Sequence, residues 1–454
     1  MDLRQKKVLI FGTGKSGIAA AELLEKQEGV KLVLFEGSEK AEAEAIRKKS
    51  EFFSRVELYI GELPPEVIAT LDVAVLSPGV PVDLPIVEQL RDAGVRIIGE
   101  IELAYQLSKG RIAAITGTNG KTTTTSLVGE IMKKQYPDVQ VVGNIGIPYT
   151  SVAADTTEET VVVAEISSFQ LETTVDFAPE VSAILNITPD HLNRHHTMEN
   201  YIRAKEDITK NQTNDQVCVL NYEDEVLRSF GEQAKQRVLF FSSRQHVTQG
   251  CYLDGKEIFY TDDGGTQKVI HTDELNILGV HNYENVMAAV AISVTMGVPM
   301  DKIREALREF QAVEHRIEFV TEKRGIRFYN DSKATNPDAA IKGIQSMNRP
   351  TLLIGGGYDK QSEYDEWIDS FEGKVKKLVL IGATAEKIAA CAQKHGFEAY
   401  LFADSLEEAV TRCYELAEDG DAVLLSPACA SFDMFQSYEE RGRVFKSLVN
   451  GLKE

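Results

Sequence analysis

The sequence predicts an α/β protein of several domains with mostly parallel sheets. Short apolar runs, which are typical of buried strands, alternate with helical patterns along almost the whole chain. The chain has 454 residues, more than one ordinary hydrophobic core accommodates. These two observations together predict three α/β domains, with limits near residues 1–100, 101–312 and 313–454.

The predicted elements fall into three series. In the first domain we expect strands at 8–11, 31–35 and 73–77 and a helix at 18–27. In the second domain we expect strands at 112–116, 141–143, 160–166, 181–187, 217–220 and 238–241, a hairpin over 251–260 that turns at Asp254-Gly255, and helices at 198–209 and 281–296. In the third domain we expect strands at 327–330, 351–354, 377–381, 399–402 and 422–425. We expect a hinge between the second and third domains at 311–314.

Composition restricts the class of protein. The net charge is −21, which argues against a broad nucleic-acid or anionic membrane surface but leaves a local pocket for a small anion open. The cysteines show no C-x-x-C pair, so we expect neither a disulfide framework nor a zinc site in a reducing compartment. No apolar signal precedes the first strand, and no window reaches the roughly 18 apolar residues of a spanning helix. We therefore expect a cytoplasmic protein without nucleic-acid or membrane partners.

A first glycine loop follows the first predicted strand. Gly12-Thr13-Gly14-Lys15-Ser16-Gly17 matches G-x-G-x-x-G, and Glu36 ends the next strand, roughly where an NAD site has its ribose acid. The pattern itself indicates only that a backbone can approach a diphosphate at a helix N-terminus. NAD, another nucleotide diphosphate and a purely structural turn all remain open.

A second glycine loop lies between a strand and a threonine-rich helix start. It reads Gly117-Thr118-Asn119-Gly120-Lys121-Thr122-Thr123. Backbone N–H groups, a lysine and a hydroxyl are what the β- and γ-phosphates of ATP require together with Mg²⁺. The full Walker pattern would have glycine where this chain has Ile115. We predict an ATP site here, in a P-loop ATPase-like central domain between two Rossmann-like domains.

Three further residues are candidates for the chemistry. Glu165 ends a buried strand, and the ends of parallel strands face the ligand crevice, so it could hold Mg²⁺ or only cap a helix. His191 follows another strand and could be a metal ligand. Lys205 lies on a predicted helix, where a lysine is normally solvated. We expect His195 and His196 to lie on the surface.

The motifs occur in the order found in the Mur ligases, the ATP-dependent amide ligases of peptidoglycan precursor synthesis, and the chain resembles that family over nearly its whole length. The motifs that carry the resemblance are Gly117–Thr122, Gly143-Asn144-Ile145-Gly146, Glu165–Gln170, Asn186–His191, Lys205, His281-Asn282-x-x-Asn285, His315-Arg316 and Asp331–Asn336.

The resemblance implies a role for each matching residue. Lys121 and the Gly117–Thr123 loop would bind the ATP phosphates, with Thr122 and Glu165 on one Mg²⁺. Lys205 would be carbamylated and, with His191, would help to hold a second Mg²⁺. The other implied nucleotide contacts are Asn282, Asn285, Arg316 and Asp331. The implied contacts to the amino acid are Lys333, Thr335, Lys360, Ser431 and Phe432. Lys333 is also implied to be catalytic. The implied contacts to a nucleotide-sugar are Gly14, Ser16, Ser77, Pro78, Gly79 and Asn144.

Within the family, the chain is most similar to the ligases that add D-glutamate. The resemblance rests on the first glycine loop, on Ser77-Pro78-Gly79 and on 426–433 with Glu440-Arg441-Gly442. It implies that UDP-N-acetylmuramoyl-L-alanine, D-glutamate and ATP react through an acyl phosphate, on a monomer. Lys360 would select glutamate because a neutral amino acid would leave its ammonium buried and unpaired. Residues 36–38 depart from the acid–polar–basic pattern that we associate with uracil contacts.

Three alternatives remain. Another Mur ligase or a folylpolyglutamate-synthase-like ligase would share the ATP site, although the folate enzyme lacks a full α/β domain before its phosphate loop. An NAD-dependent oxidoreductase would explain the loop at Gly12–Gly17 but not that at Lys121. An ATP-binding sensor without catalysis would have no need for Glu165, His191 and Lys205 together.

Overall fold

The computed structural model describes residues 2–311 and 314–453. The expected hinge lies partly outside the described residues, because Ala312 and Val313 are not among them. The chain packs into two compact units, residues 1–270 with 284–306 and residues 271–283 with 307–454. Three mostly parallel sheets, each with its own helices, confirm the predicted α/β class with three domains. The limits of the domains stay a prediction.

The first sheet is formed by residues near the N-terminus. Its strands are β1 (Lys7–Phe11), β2 (Lys31–Glu36), β3 (Glu57–Ile60), β4 (Val73–Leu76) and β5 (Arg96–Gly99). The accompanying helices are α1 (Lys15–Glu25), α2 (Ala43–Arg47), α3 (Pro65–Ile68) and α4 (Pro85–Asp92). All neighbouring strands are parallel, in the order β3-β2-β1-β4-β5. The chain therefore runs from β1 outward through β2 to β3 and then crosses to β4 and β5 on the other side of β1. Such a switch point is where α/β sheets bind ligands.

The turn from β1 into α1 depends on the absence of a side chain at Gly17. A Cβ atom there would lie 1.9 Å from the carbonyl oxygen of Gly12. We expect Gly17→Ala to lower the stability by about 1–3 kcal/mol, because overpacking of this kind displaces the backbone. Urea unfolding followed by circular dichroism measures the effect. Gly14→Ala is the matched control, since its Cβ would meet no atom within 4 Å; equal unfolding midpoints for the two variants would contradict the prediction.

The second sheet forms the central domain. Its strands are β6 (Arg111–Thr116), β7 (Val139–Gly143), β8 (Val161–Glu165), β9 (Val181–Ile184), β10 (Val217–Asn221), β11 (Arg237–Ser242), β12 (Gly250–Asp254), β13 (Glu257–Asp262) and β14 (Gly265–His271). The helices from here to the end of the domain are α5 (Glu100–Leu107), α6 (Lys121–Lys133), α7 (Ser168–Leu171), α8 (Leu192–His195), α9 (Met198–Glu206), α10 (Glu225–Gln233), α11 (Val280–Thr295) and α12 (Met300–Glu309). The strand order is β14-β13-β12-β11-β10-β9-β6-β8-β7.

The order of this sheet brings the predicted ATP-site motifs together. Strand β6 has β8 and β9 as parallel neighbours, so the loops after all three leave the same edge. The predicted hairpin is confirmed between β12 and β13, which are antiparallel. The observed turn lies one residue later than predicted, because Asp254 pairs with Glu257 and the loop is Gly255-Lys256. Gly255 has φ +58°, which glycine adopts without strain.

The third sheet lies in the second unit. Its strands are β15 (Glu318–Lys323), β16 (Ile326–Asn330), β17 (Thr351–Gly355), β18 (Val375–Leu380), β19 (Tyr400–Phe402) and β20 (Ala422–Leu425). Its helices are α13 (Pro337–Gln345), α14 (Asp365–Asp369), α15 (Ala385–Lys394), α16 (Leu406–Leu416) and α17 (Tyr438–Gly451). The strand order is β15-β16-β20-β17-β18-β19, with β15 antiparallel to β16. The neighbouring strands β16, β20 and β17 are parallel, so the loops after them leave one edge together.

The cysteines of the chain are free thiols. Cys218, Cys251, Cys413 and Cys429 are buried, and burial raises the pKa of the Cys218 thiol to about 12. Buried thiols of this kind are poor nucleophiles because the thiolate is the reactive form. Within the described residues, no helix is both long and apolar enough to cross a membrane.

Candidate functional site

The phosphate loop, residues 117–123, joins β6 to α6. Gly117 has φ +147° and Gly120 has φ +84°, and the left-handed Gly120 is the N-cap of α6. Lys121 folds back over the loop, and its Nζ donates to the carbonyl oxygens of Gly117 at 2.8 Å and Thr118 at 2.9 Å. Thr122 and Thr123 follow in the first turn of α6. The unpaired N–H groups of a helix start beside a lysine form an anion site.

Lys205 is buried against the phosphate loop, which corrects the expectation that a helix lysine is solvated. Its side chain is 2% exposed, and its Nζ donates to the carbonyl oxygen of Gly117 at 2.8 Å. Nζ also lies 4.8 Å from the ring centroid of Tyr201. Burial, followed by the nearby charge of Lys121, lowers the pKa of Lys205 to about 7. Burial therefore favours the neutral form of this amine.

Glu165 presents an unsatisfied carboxylate oxygen at the same edge of the sheet. The residue is 1% exposed and pairs in register with Ile115, just before the phosphate loop. Its Oε1 accepts a hydrogen bond from Asn144 Nδ2 at 2.7 Å. Its Oε2 is buried and has no hydrogen-bond partner among the described residues. A buried oxygen left in this way fits a hard cation such as Mg²⁺, which takes oxygen ligands. Asn144, predicted to face a nucleotide-sugar, thus lies beside the metal candidate.

His191 lies at the start of α8 with φ +51°. Its side chain is 51% exposed, and its ring meets that of Phe169 edge to face, with centroids 4.9 Å apart. The expectation that His195 lies on the surface is wrong. His195 is 4% exposed because it faces α7: its Nε2 lies 2.9 Å from Ser168 Oγ, and its Nδ1 lies 3.3 Å from Glu172 Oε1. His196 is exposed, as expected.

Two asparagines brace the phosphate loop. The N–H of Asn119 donates to Asn186 Oδ1 at 2.8 Å, and Asn186 Nδ2 donates to the carbonyl oxygen of Asn119 at 3.1 Å. On the other side, Asn285 Oδ1 accepts a hydrogen bond from Thr124 Oγ1 at 3.2 Å. A Cβ at Gly120 would lie 2.3 Å from that same Oδ1. Asn285 therefore lies against the loop, and its contact with a nucleotide stays a prediction.

The first glycine loop lies at the switch point of the first sheet. Gly12 has φ +99°, and its carbonyl oxygen accepts a hydrogen bond from Ser77 Oγ at 3.3 Å. Glu36 Oε2 accepts from the N–H of Thr13 at 3.2 Å and from its Oγ1 at 2.7 Å. Glu36 thus holds the loop in place. This structural role replaces the suggested role of an acidic residue that binds the ribose of NAD. Gly14, the N-cap of α1, is exposed.

A cavity of about 540 Å³ lies beside Phe11, the last residue of β1 before this loop, and its size is typical of ligand pockets. Its rim includes Phe11 and Phe35, whose ring centroids lie 4.6 Å apart. The complete lining is Phe11, Phe35, Gly37, Gly61, Glu62, Leu63, Pro65, Leu84, Pro85, Ile86 and Gln89. Among the predicted contacts to the nucleotide-sugar, Ser16 in α1 and Pro78 after β4 are partly buried, and Gly79 is exposed.

In the second unit, Asp331 directly follows β16. It is 4% exposed, its Oδ2 accepts from Ser426 Oγ at 2.7 Å and its Oδ1 accepts from the N–H of Ile317 at 3.2 Å. Burial raises the pKa of Asp331 to about 7. Arg316, the neighbour of Ile317, is partly buried. Asn282 is buried and its Nδ2 donates to the carbonyl oxygen of Leu278 at 2.7 Å.

The loops after β16, β17 and β20 carry the residues predicted to bind the amino acid. Lys333 Nζ lies 5.9 Å from the ring centroid of Tyr438, and the partly buried Thr335 follows in the same loop. Ser431 is 2% exposed and Phe432 is 64% exposed. Lys360 is exposed, which corrects the argument that its burial rejects neutral amino acids. Any desolvation of that ammonium has to come from a ligand.

Comparison with known proteins shows the family to which the chain belongs. Three family models match: "Mur ligase MurD-like, N-terminal domain" at residues 6–99, "Mur ligase middle domain" at 115–293 and "Mur ligase, glutamate ligase domain" at 315–429. A UDP-N-acetylmuramoylalanine–D-glutamate ligase of Lachnoclostridium phytofermentans is 56% identical over 454 residues, with both chains fully covered. The protein of that name from Clostridioides difficile is 46% identical, also with full coverage of both. This chain belongs to the Mur ligase family.

Solved Mur ligase structures share the fold. UDP-N-acetylmuramate–alanine ligase MurC of Thermotoga maritima is 20% identical, with a TM-score of 0.59 and coverage of 99% of this chain and 100% of that one. MurF of Acinetobacter baumannii is 19% identical, with a TM-score of 0.58 and coverage of 84% and 87%. Mur ligases use ATP with Mg²⁺, and membership of this family excludes the alternatives of an NAD-dependent oxidoreductase and a sensor.

Two residues of this Mur ligase were missed by sequence reasoning. Asn186 stands in a motif without an assigned role, although an amide two residues after the strand beside β6 indicates a contact with the phosphate loop. Arg441 likewise stands in a motif without an assigned role. The residue is 1% exposed, and its guanidinium donates to the carbonyl oxygens of Ser332 at 2.8 Å and Cys429 at 3.1 Å. It therefore ties the loop after β16 to the loop after β20.

Proposed function

We propose that the chain is a UDP-N-acetylmuramoyl-L-alanine:D-glutamate ligase that forms its amide bond through an acyl phosphate at the expense of ATP. The observation that carries the ligase chemistry is the cluster of Lys121, Lys205 and Glu165 around the phosphate loop. Relatives at 46–56% identity over the full chain bear the name of this ligase, which supports the choice of substrates.

The cluster suits phosphoryl transfer. A carboxylate does not condense with an ammonium at neutral pH, so its oxygen first attacks the γ-phosphorus of ATP, and ADP leaves. Lys121 and the N–H groups of 117–123 stabilise the charge on the phosphate oxygens and position them, which is most of the catalysis in this reaction class. The amine of glutamate then attacks the acyl carbon, and phosphate leaves. Bound Mg²⁺ would supply further charge neutralisation, held by Thr122 and Glu165, with His191 at a second ion.

Carbamylation of Lys205 is part of the proposal. Addition of CO₂ to the neutral amine forms a carbamate and releases a proton, and a pKa of about 7 makes that neutral form available. The product is an anion on a long side chain in contact with the loop that Lys121 also contacts. An anion there would balance the charge of Lys121 and would serve as an oxygen ligand for the second Mg²⁺.

The remaining roles follow from the other loops. We assign the nucleotide-sugar to the crevice formed by the first glycine loop, with Gly14 and Ser16, and by Ser77–Gly79, where the start of α1 suits a diphosphate. The adjoining cavity with its aromatic rim suits a nucleobase. The amino acid is assigned to Lys333, Thr335, Lys360, Ser431 and Phe432, because two lysines match its two carboxylates. Asn282, Arg316 and Asp331 remain assigned to nucleotide contacts of the second unit.

The deciding experiment measures phosphate release from ATP with UDP-N-acetylmuramoyl-L-alanine and D-glutamate, L-glutamate, L-lysine or meso-diaminopimelate. We expect release with D-glutamate alone. Lys121→Met, assayed in parallel, controls for contaminating ATPases and should release none. Release with a different amino acid would keep the ligase and change its specificity. Absence of release with all four would reject the proposed function.

We further propose that the enzyme acts as a monomer in the cytoplasm. The strongly acidic surface, with a net charge of −21, disfavours self-association at low ionic strength. Light scattering coupled to gel filtration should return one mass near 50.3 kDa, and a doubled mass would contradict the monomer. Fractionation of the native cells, followed by immunodetection, tests the location.

A further inference from the structure

A hydrogen bond from Arg194 joins the first domain to the loop that carries His191, and the same side chain forms a largely buried ion pair. Arg194, in α8, donates from Nη2 to Glu172 Oε2 at 2.7 Å. The same nitrogen donates to the backbone carbonyl oxygen of Val80 at 2.9 Å. The side chains of Arg194 and Glu172 are only 11% and 13% exposed. Water and salt therefore weaken this interaction much less than they weaken a surface pair.

The carbonyl of Val80 belongs to the turn that follows β4. The N–H of Val80 donates to the carbonyl oxygen of Ser77 at 2.9 Å and closes the turn. Ser77 in turn donates to the carbonyl oxygen of Gly12 in the first glycine loop. Arg194 thus anchors a turn whose other end contacts the loop assigned to the nucleotide-sugar.

Arg194 and His191 both contact the ring of Phe169. The guanidinium carbon lies 5.0 Å from the centroid of the Phe169 ring, and the His191 ring lies 4.9 Å from the same centroid. Glu172 uses its other carboxylate oxygen for the buried His195, at 3.3 Å. A planar guanidinium can serve a carboxylate, a carbonyl and an aromatic face together, which a lysine cannot do.

We propose that Arg194 is a positioning residue that sets the affinity for UDP-N-acetylmuramoyl-L-alanine by holding the Ser77–Val80 turn in register with the His191 loop. Neither Arg194 nor its partner Glu172 is assigned a contact with a reacting atom. The inference rests on the proposed function for the identity of the ligand. It adds that binding of the nucleotide-sugar and placement of His191 depend on one side chain.

The first variant is Arg194→Lys, assayed by phosphate release with each substrate varied in turn. We expect KM for the nucleotide-sugar to rise about 10- to 100-fold, the usual cost of losing a residue that orients a site. KM for ATP and for D-glutamate should stay within about twofold, because the phosphate loop and the second unit do not depend on Arg194. His196→Asn is the matched control. His196 also reaches this part of the first domain, at Asp83, but both side chains are more than half exposed, so its KM values should not change.

A double variant, Arg194→Met with Glu172→Gln, guards against a folding defect, because it leaves no unpaired charge buried. Calorimetric titration with UDP-N-acetylmuramoyl-L-alanine, without ATP, should give the same 10- to 100-fold loss of affinity. Unchanged affinity, or equal changes of KM for all three substrates, would overturn the inference while the wild type remains an active ligase. A wild type that neither turns over nor binds the nucleotide-sugar would instead reject the proposed function, and the inference with it.

Discussion

Lys205→Arg is expected to lower kcat by about 10³-fold, the scale for removing a charged group from a preorganised site. Arginine keeps the positive charge and the hydrogen bond to the carbonyl oxygen of Gly117, but its pKa is too high for reaction with CO₂. The variant therefore tests whether the activity requires the carbamate or only a positive charge at this position. Lys210→Arg is the matched control, because Lys210 also donates to a backbone carbonyl, that of Thr174, and has no assigned role; its kcat should stay within about twofold.

The carbamate itself can be observed by ¹³C NMR after equilibration with ¹³CO₂. We expect the wild type to show, beside the carbamate of the N-terminal amine, one carbamate resonance that Lys205→Arg lacks. The pH dependence of the carbamate follows from the lowered pKa of Lys205, about 7. Below that pH the ammonium form prevails, and it cannot react with CO₂. At constant CO₂ pressure both the resonance and kcat should therefore increase between about pH 6 and pH 8. Identical carbamate resonances in the wild type and in Lys205→Arg would refute the assignment.

Glu165→Gln is expected to have two effects of opposite sign. The activity should fall by about 10³-fold, because the amide cannot replace a carboxylate as an Mg²⁺ ligand. The thermal stability should increase slightly, by about 1 kcal/mol, because a buried oxygen without a partner among the described residues loses its charge. The bond from Asn144 Nδ2 to Oε1 can remain. Electron paramagnetic resonance of bound Mn²⁺, with a non-hydrolysable ATP analogue, should show weaker binding.

Glu100→Gln is the matched control for that variant. Glu100 is 2% exposed, its Oε1 accepts from the N–H of Thr150 at 2.8 Å, and its Oε2 also has no partner within the described residues. Burial raises its pKa. The same chemical change away from the phosphate loop should leave kcat within about twofold. Equal losses of activity in both variants would show that buried charge, and not metal binding, explains the effect of Glu165→Gln.

The strands that sequence analysis missed share a structural cause. They are β3, β5, β14 and β15, and each lies at the edge of its sheet. Central parallel strands are covered on both faces and therefore read as continuous apolar runs. The missed strands are partly exposed and contain charged or polar residues, as in the GTQKVIH of β14 and the EFVTEK of β15. Edge strands of this kind lack the pattern by which buried strands are found.

The sequence by itself determined the α/β class, the two glycine loops and the strand ends that carry Glu165 and His191. These features are local: apolar periodicity decides a strand, and glycines beside a lysine decide a phosphate loop. The order of the motifs was sufficient to indicate the Mur ligases. None of this required knowledge of which distant residues meet.

Only the tertiary structure decided the environments of the charged side chains. Lys205 contacts Gly117 across 88 positions of sequence, and Arg194 contacts Val80 across 114. Nothing near either residue in sequence distinguishes it from a solvated helix residue, and the same holds for His195, which was expected on the surface. Burial and pKa depend on the whole set of neighbours that the fold assembles, because desolvation is a property of the site and not of the segment.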